Sequence, residues 1–88
     1  MASMRRHLDS VMVREVDGEL LLLDTNSNRI HQLNRTASFI WERCDKVASS
    51  AELATELALE FDVETGQALN DVTETLDTLC SLELVSQV

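Results

Sequence analysis

Leu33-Asn34-Arg35-Thr36-Ala37-Ser38-Phe39-Ile40-Trp41 is the stretch in which the sequence changes its period. Just before it, Arg29-Ile30-His31-Gln32-Leu33 reads as a short strand of mixed polarity. Within and after it, Ala37, Ile40, Trp41 and Cys44 fall at i, i+3, i+4 and i+7, the apolar stripe of a helix. Asn34 stands at the boundary, where its side-chain oxygen can accept a free N–H of the first helical turn. A strand therefore passes directly into a helix here. What lies upstream should be sheet, and what lies downstream should be helical.

Upstream, Val11-Met12-Val13-Arg14-Glu15-Val16 is rich in β-branched and apolar residues and suits a strand. Asp17-Gly18 is a two-residue hairpin signal. Leu20 to Leu23 form a second strand, apolar at every position and so expected to be covered on both faces. Asp24-Thr25-Asn26-Ser27-Asn28 is a polar turn leading into the third strand. Residues 1–10 show no period and read as a flexible tail, with Leu8 as a packing candidate. Residues 11–88 read as a single domain, because the chain is too short for two.

Downstream, Lys46-Val47-Ala48 is a connection, and Ser49 with Glu52 fits a capping box that opens a second helix through Leu53, Leu57, Ala58 and Phe61. Asp62-Val63 separates it from a last helix running from near Glu64 to about Leu82. This helix carries two apolar stripes: Leu69, Thr73, Leu76 and Cys80, and Ala68, Val72, Thr75, Leu79 and Leu82. So wide a face needs two surfaces to pack on, one of which could be a second copy or a bound peptide. Leu84-Val85 should turn back into the core. The fold class is α+β: a three-stranded antiparallel sheet followed by three helices.

The chain carries 16 acids and seven bases, a net charge of -9. Residues 1–49 hold all seven bases and seven acids, so the whole excess falls on residues 50–88. A nucleic-acid-binding domain needs the opposite sign, because phosphate neutralisation supplies much of its affinity. The basic start, Met1 to His7, is followed by no apolar stretch, so no secretory signal is read there. Leu20 to Leu23 is too short to span a bilayer. Cys44 and Cys80 then read as reduced thiols of a cytoplasmic protein, both in packing roles.

Little in the sequence supplies chemistry. Its two glycines, Gly18 and Gly66, make no phosphate loop. His7, His31, Cys44 and Cys80 never fall at metal-ligand spacing. No catalytic residue, metal or cofactor is expected. Binding remains, and the third strand is the informative element. At the edge of a three-strand meander it exposes unpaired N–H and C=O groups, which can recruit an extended peptide. Arg29, His31 and Gln32 could equally serve only to blunt that edge.

Leu33 to Trp41 resembles the Leu-Asn-x-Thr-Ala-x-x-Ile-Trp segment of the PqqD-like family. Gly18 to Leu22, the capped helix with Leu53, Ala54 and Leu57, and Asp71-Val72 followed by Leu76, Leu79 and Leu84-Val85 extend the resemblance over residues 11–86. It implies a winged helix-turn-helix-like fold and the role of a RiPP recognition element. Such a domain is a non-catalytic chaperone that binds the leader of a ribosomally made precursor peptide. The leader adds as a strand beside the last helix, and the domain presents its core to a modifying enzyme such as a radical SAM protein or a peptidase. Carried onto this chain, the peptide-binding residues are Arg29, Ile30, His31, Gln32 and Leu33 on the strand, and Leu69, Val72, Thr73, Leu76 and Cys80 on the helix. Which helical stripe faces the peptide stays open. So does the pathway, because Asp45 is followed by Lys46 where the quinone-cofactor members carry glycine. The other readings are a homodimeric scaffold subunit and, with less support, a winged-helix transcription factor.

Overall fold

The computed structural model describes residues 4–6, 9–47 and 49–87. Its elements are β1 (Met4–Arg6), β2 (Val11–Val16), β3 (Glu19–Asp24), β4 (Arg29–Leu33), α1 (Arg35–Arg43), α2 (Ser50–Phe61), α3 (Thr65–Ser81) and β5 (Val85–Gln87). The main sheet is antiparallel, in the order β2-β3-β4, and is followed by the three helices.

Local chemistry accounts for most of these boundaries. Val16 pairs with Glu19, so Asp17-Gly18 closes a two-residue hairpin. Both residues take positive φ, 54° and 82°, which a turn matching the strand twist requires. The Asn34 side chain accepts from the Ala37 amide at 2.8 Å and caps α1. Ser49 does the same for α2 through the Glu52 amide at 3.1 Å. The second helix ends at Asp62 in a left-handed conformation, φ 53°, with its N–H returned to the Ala58 carbonyl.

Leu20, Leu22 and Leu33 of the sheet pack with Ile40, Trp41 and Cys44 of α1, Leu53 and Leu57 of α2, and Ala68, Val72, Leu76 and Leu79 of α3. Leu84 and Val85 complete this core, as expected of a chain end that turns back. Trp41 sits at its centre with Nε1 donating to the Leu84 carbonyl at 3.4 Å. The Cys44 thiol is buried there, and burial pushes it up to about 11.

Two expectations change. Leu20 and Leu22 are buried, but Leu21 and Leu23 are only half-covered, and their outer-face neighbours Met12, Val16 and Ile30 are exposed. The core therefore lies on one face of the sheet, and the continuous apolar run does not mark two-sided burial. The tail expected over residues 1–10 also differs where it is described. Met4–Arg6 pair antiparallel with Val85–Gln87. Arg6 reaches from this ribbon to Asp45 at 2.9 Å and lies 4.8 Å over the Trp41 ring. Leu8 lies outside the described residues.

Candidate functional site

The third strand of the sheet, β4, pairs with β3 on one side, from Asp24 with Arg29 to Leu20 with Leu33. On its other side it is the edge of the sheet, since the order is β2-β3-β4. Its position is fixed at one point by a buried side chain. Ser38 Oγ donates to the Leu33 carbonyl at 3.1 Å and accepts from the Leu20 amide at 2.9 Å, which ties the start of α1 to both strands.

Beside that edge runs a groove of about 500 Å³. Its strand wall is Ile30 to Leu33, its floor includes Asn34 and Ala37, and its helical wall is Glu74, Thr75, Thr78, Leu79 and Leu82. A smaller cavity of about 370 Å³ continues it past His31 to Arg29, Asp24 and Glu83. At the other end the groove opens between Asn34 and Thr36 and the acids Asp71 and Glu74. Strand periodicity places Leu33 and His31 on the face turned to the helices, with Leu20 and Leu22, and Ile30 and Gln32 on the outer face. Gln32 is held there by its amide, which donates to Glu19 Oε1 at 3.1 Å. The Asp24 carboxylate receives the Asn26 amide at 2.9 Å, and this bond holds its pKa below the usual carboxylate range.

Ile30, His31, Gln32 and Leu33 thus line the groove and Arg29 lies in its extension, as a strand-edge site requires. The helical residues do not coincide with the expected set. Leu69, Val72, Thr73, Leu76 and Cys80 lie outside the groove wall. Val72 and Leu76 belong to the core, and Leu69 is 42% exposed. The Thr73 hydroxyl is turned back to the Leu69 carbonyl at 2.9 Å. The wall is formed by the other stripe, through Thr75, Leu79 and Leu82, with Glu74 and Thr78 beside it. The two stripes have equal helical spacing, so spacing alone gave no signal between them. Among the described residues, no group of three or more His, Cys, Asp or Glu side chains could hold a metal ion.

A second cavity of about 510 Å³ lies at the Asp17-Gly18 hairpin, against Phe39 and Phe61. Of the sheet strands only β2 contributes to its lining, through Glu15 alone. Of the two edges of the main sheet, β2 and β4, it is β4 that runs along a groove walled by α3.

These features define the class: a small α+β domain that keeps one sheet edge open along its third helix. Within that class, the profile described as coenzyme PQQ synthesis protein D (PqqD) matches residues 19–85, and the chain belongs to the PqqD family. Among solved structures, a lasso peptide synthetase B1 complexed with the leader peptide is similar at 29% identity and a TM-score of 0.82, over 97% of this chain and 99% of that one. TbiB1 in complex with the TbiA(beta) leader peptide has the same fold, at 22% identity and a TM-score of 0.78, over 93% and 95% of the two chains. No curated protein sequence matches the chain.

Proposed function

We propose that this protein is a non-catalytic peptide chaperone. It binds the leader of a ribosomally made precursor as an added strand on β4 and presents the rest to a modifying enzyme, a radical SAM protein or a peptidase, in a cytoplasmic setting. The observation that carries this reading is the open β4 edge facing Thr75, Leu79 and Leu82 across the groove. Strand addition gives affinity through main-chain hydrogen bonds and selectivity through pockets for alternate side chains. A large leader side chain buried against Leu79 and Leu82 contributes roughly 1.5–3 kcal/mol. The similarity to a lasso peptide synthetase B1 complexed with a leader peptide supports a precursor of that class.

A DNA-reading role has the wrong electrostatics. Asp71, Glu74 and Asp77 stand on α3, and residues 50–88 carry no base to meet phosphate.

The test is a titration of a synthetic leader, taken from a short reading frame neighbouring the gene, into isotopically labelled protein. Amide shifts concentrated on Arg29–Leu33 and on Thr75, Thr78, Leu79 and Leu82 are expected. Shifts confined to the α2 surface or the β2 edge instead would place the peptide elsewhere and overturn the proposal.

A further inference from the structure

His31 holds a buried polar atom that no described residue satisfies. Its Nε2 is shielded from solvent and has no hydrogen-bond partner among the described residues. Such atoms are rare in folded proteins, because an unpaired buried polar group forgoes its hydrogen bond to water without replacement. The side chain is also at a particular place. It projects from the open strand, on the same face as Leu22 and Leu33, and lines both the groove and its extension. On the groove side the helical wall offers Leu79, Leu82, Thr75 and Thr78 with Glu74 beside them, and in the extension Asp24 and Ser81 stand near His31. The Thr78 hydroxyl is already committed to the Glu74 carbonyl at 3.0 Å.

We propose that His31 is a specificity-determining residue that reads a serine or threonine of the bound strand. This deepens the leader-binding reading and rests on it. A strand added to β4 brings one of its own side chains opposite His31 on the helix-facing side, with the two Cβ atoms about 4.5–5.5 Å apart. At that separation a β-hydroxyl reaches the imidazole once the ring turns toward the incoming strand. A longer tyrosine carries its hydroxyl past it. The missing partner favours that turn, since the ring gains a bond it lacks in the free protein. A hydroxyl is suited because it both donates and accepts. It donates to Nε2 when the proton is on Nδ1, and accepts from Nε2–H when the proton is on Nε2. An apolar residue at the same position leaves the nitrogen buried and unpaired.

The experiment uses the full chain immobilised and a displayed library of random twelve-residue peptides. Selections are run in parallel on wild type, His31→Leu and His31→Gln, each checked for native amide dispersion. Wild type should enrich serine or threonine at one position of an extended motif. His31→Leu should replace it there with valine or isoleucine while the rest of the motif is unchanged, and His31→Gln, which keeps a polar nitrogen, should retain the hydroxyl. A synthetic pair differing only by Thr→Val at that position should differ about tenfold in Kd on wild type and lose that ratio on His31→Leu. An equal threonine-to-valine ratio on wild type and His31→Leu, or a motif without a hydroxyl position, overturns the role of His31 while leaving the groove as the peptide site. If folded wild type and both variants enrich no motif at all, the groove reading itself fails and this inference falls with it.

Discussion

Ser38 Oγ accepts the Leu20 amide at 2.9 Å from a position buried between the first helix and the sheet. The same oxygen donates to the Leu33 carbonyl at 3.1 Å. One hydroxyl therefore joins a central strand, the edge strand and the helix that follows it. Ser38→Ala leaves the buried Leu20 N–H without its partner, and an unsatisfied donor costs about 1–3 kcal/mol. Chemical denaturation should show a lower midpoint with an unchanged slope, and hydrogen exchange should quicken first at Leu20 and its neighbours on β4.

Gly18 stands at φ 82° in the hairpin, and an added Cβ would meet the Arg35 side chain at 3.4 Å. A left-handed conformation costs an L-residue roughly 1–2 kcal/mol. Gly18→Ala should lower Tm by about 4–8 °C for each kcal/mol lost in a domain of this size. Leader binding should survive, since the hairpin lies outside the groove lining.

Glu74 lines the groove and stands with Asp71 at its Asn34 end. A leader with a lysine or arginine at this end should bind more weakly as salt rises from about 0.1 M to about 1 M, which cuts the Debye length from ~10 Å to ~3 Å. Glu74→Gln should flatten that dependence, and Glu74→Lys should weaken binding at low salt. Calorimetric titration at two ionic strengths measures both. Equal salt slopes in wild type and Glu74→Gln would remove Glu74 from recognition.

Cys44 is buried, with its thiol raised to about 11 from an ordinary 9.0. The folded state favours the protonated form, so this contribution to stability is whole below pH 9 and is lost as pH climbs toward 11. Stability followed through this window should fall in wild type, and the part due to Cys44 should be missing in Cys44→Ala. At neutral pH an alkylating reagent should modify the half-buried Cys80 before Cys44.

The signals carried within a few residues of one another proved readable. Asp17-Gly18 demanded positive φ, Asn34 and Ser49 offered side-chain oxygens to the first turns of their helices, and Ala37, Ile40, Trp41 and Cys44 marked one face. These are local interactions, and their physics is complete inside one turn or one helical repeat. The open edge followed from them, because three strands joined by short turns leave the last at the rim.

Tertiary structure decided the rest. Leu69, Thr73, Leu76 and Cys80 have the same spacing as Ala68, Val72, Thr75, Leu79 and Leu82, so the choice of groove wall depended on how α3 rolls against the sheet and the other helices. Leu20 to Leu23 is apolar throughout, yet only Leu20 and Leu22 are buried, because the core lies on one side of the sheet. Met4–Arg6 show no period of their own and become a strand only where Val85–Gln87 present a partner some eighty residues away. By itself the sequence determined the three strands of the main sheet, the three helices, their order and the open edge, through interactions between near neighbours. Which surfaces meet, and therefore which side chains wall the groove, was settled only when the packed core chose among faces that sequence spacing leaves equivalent.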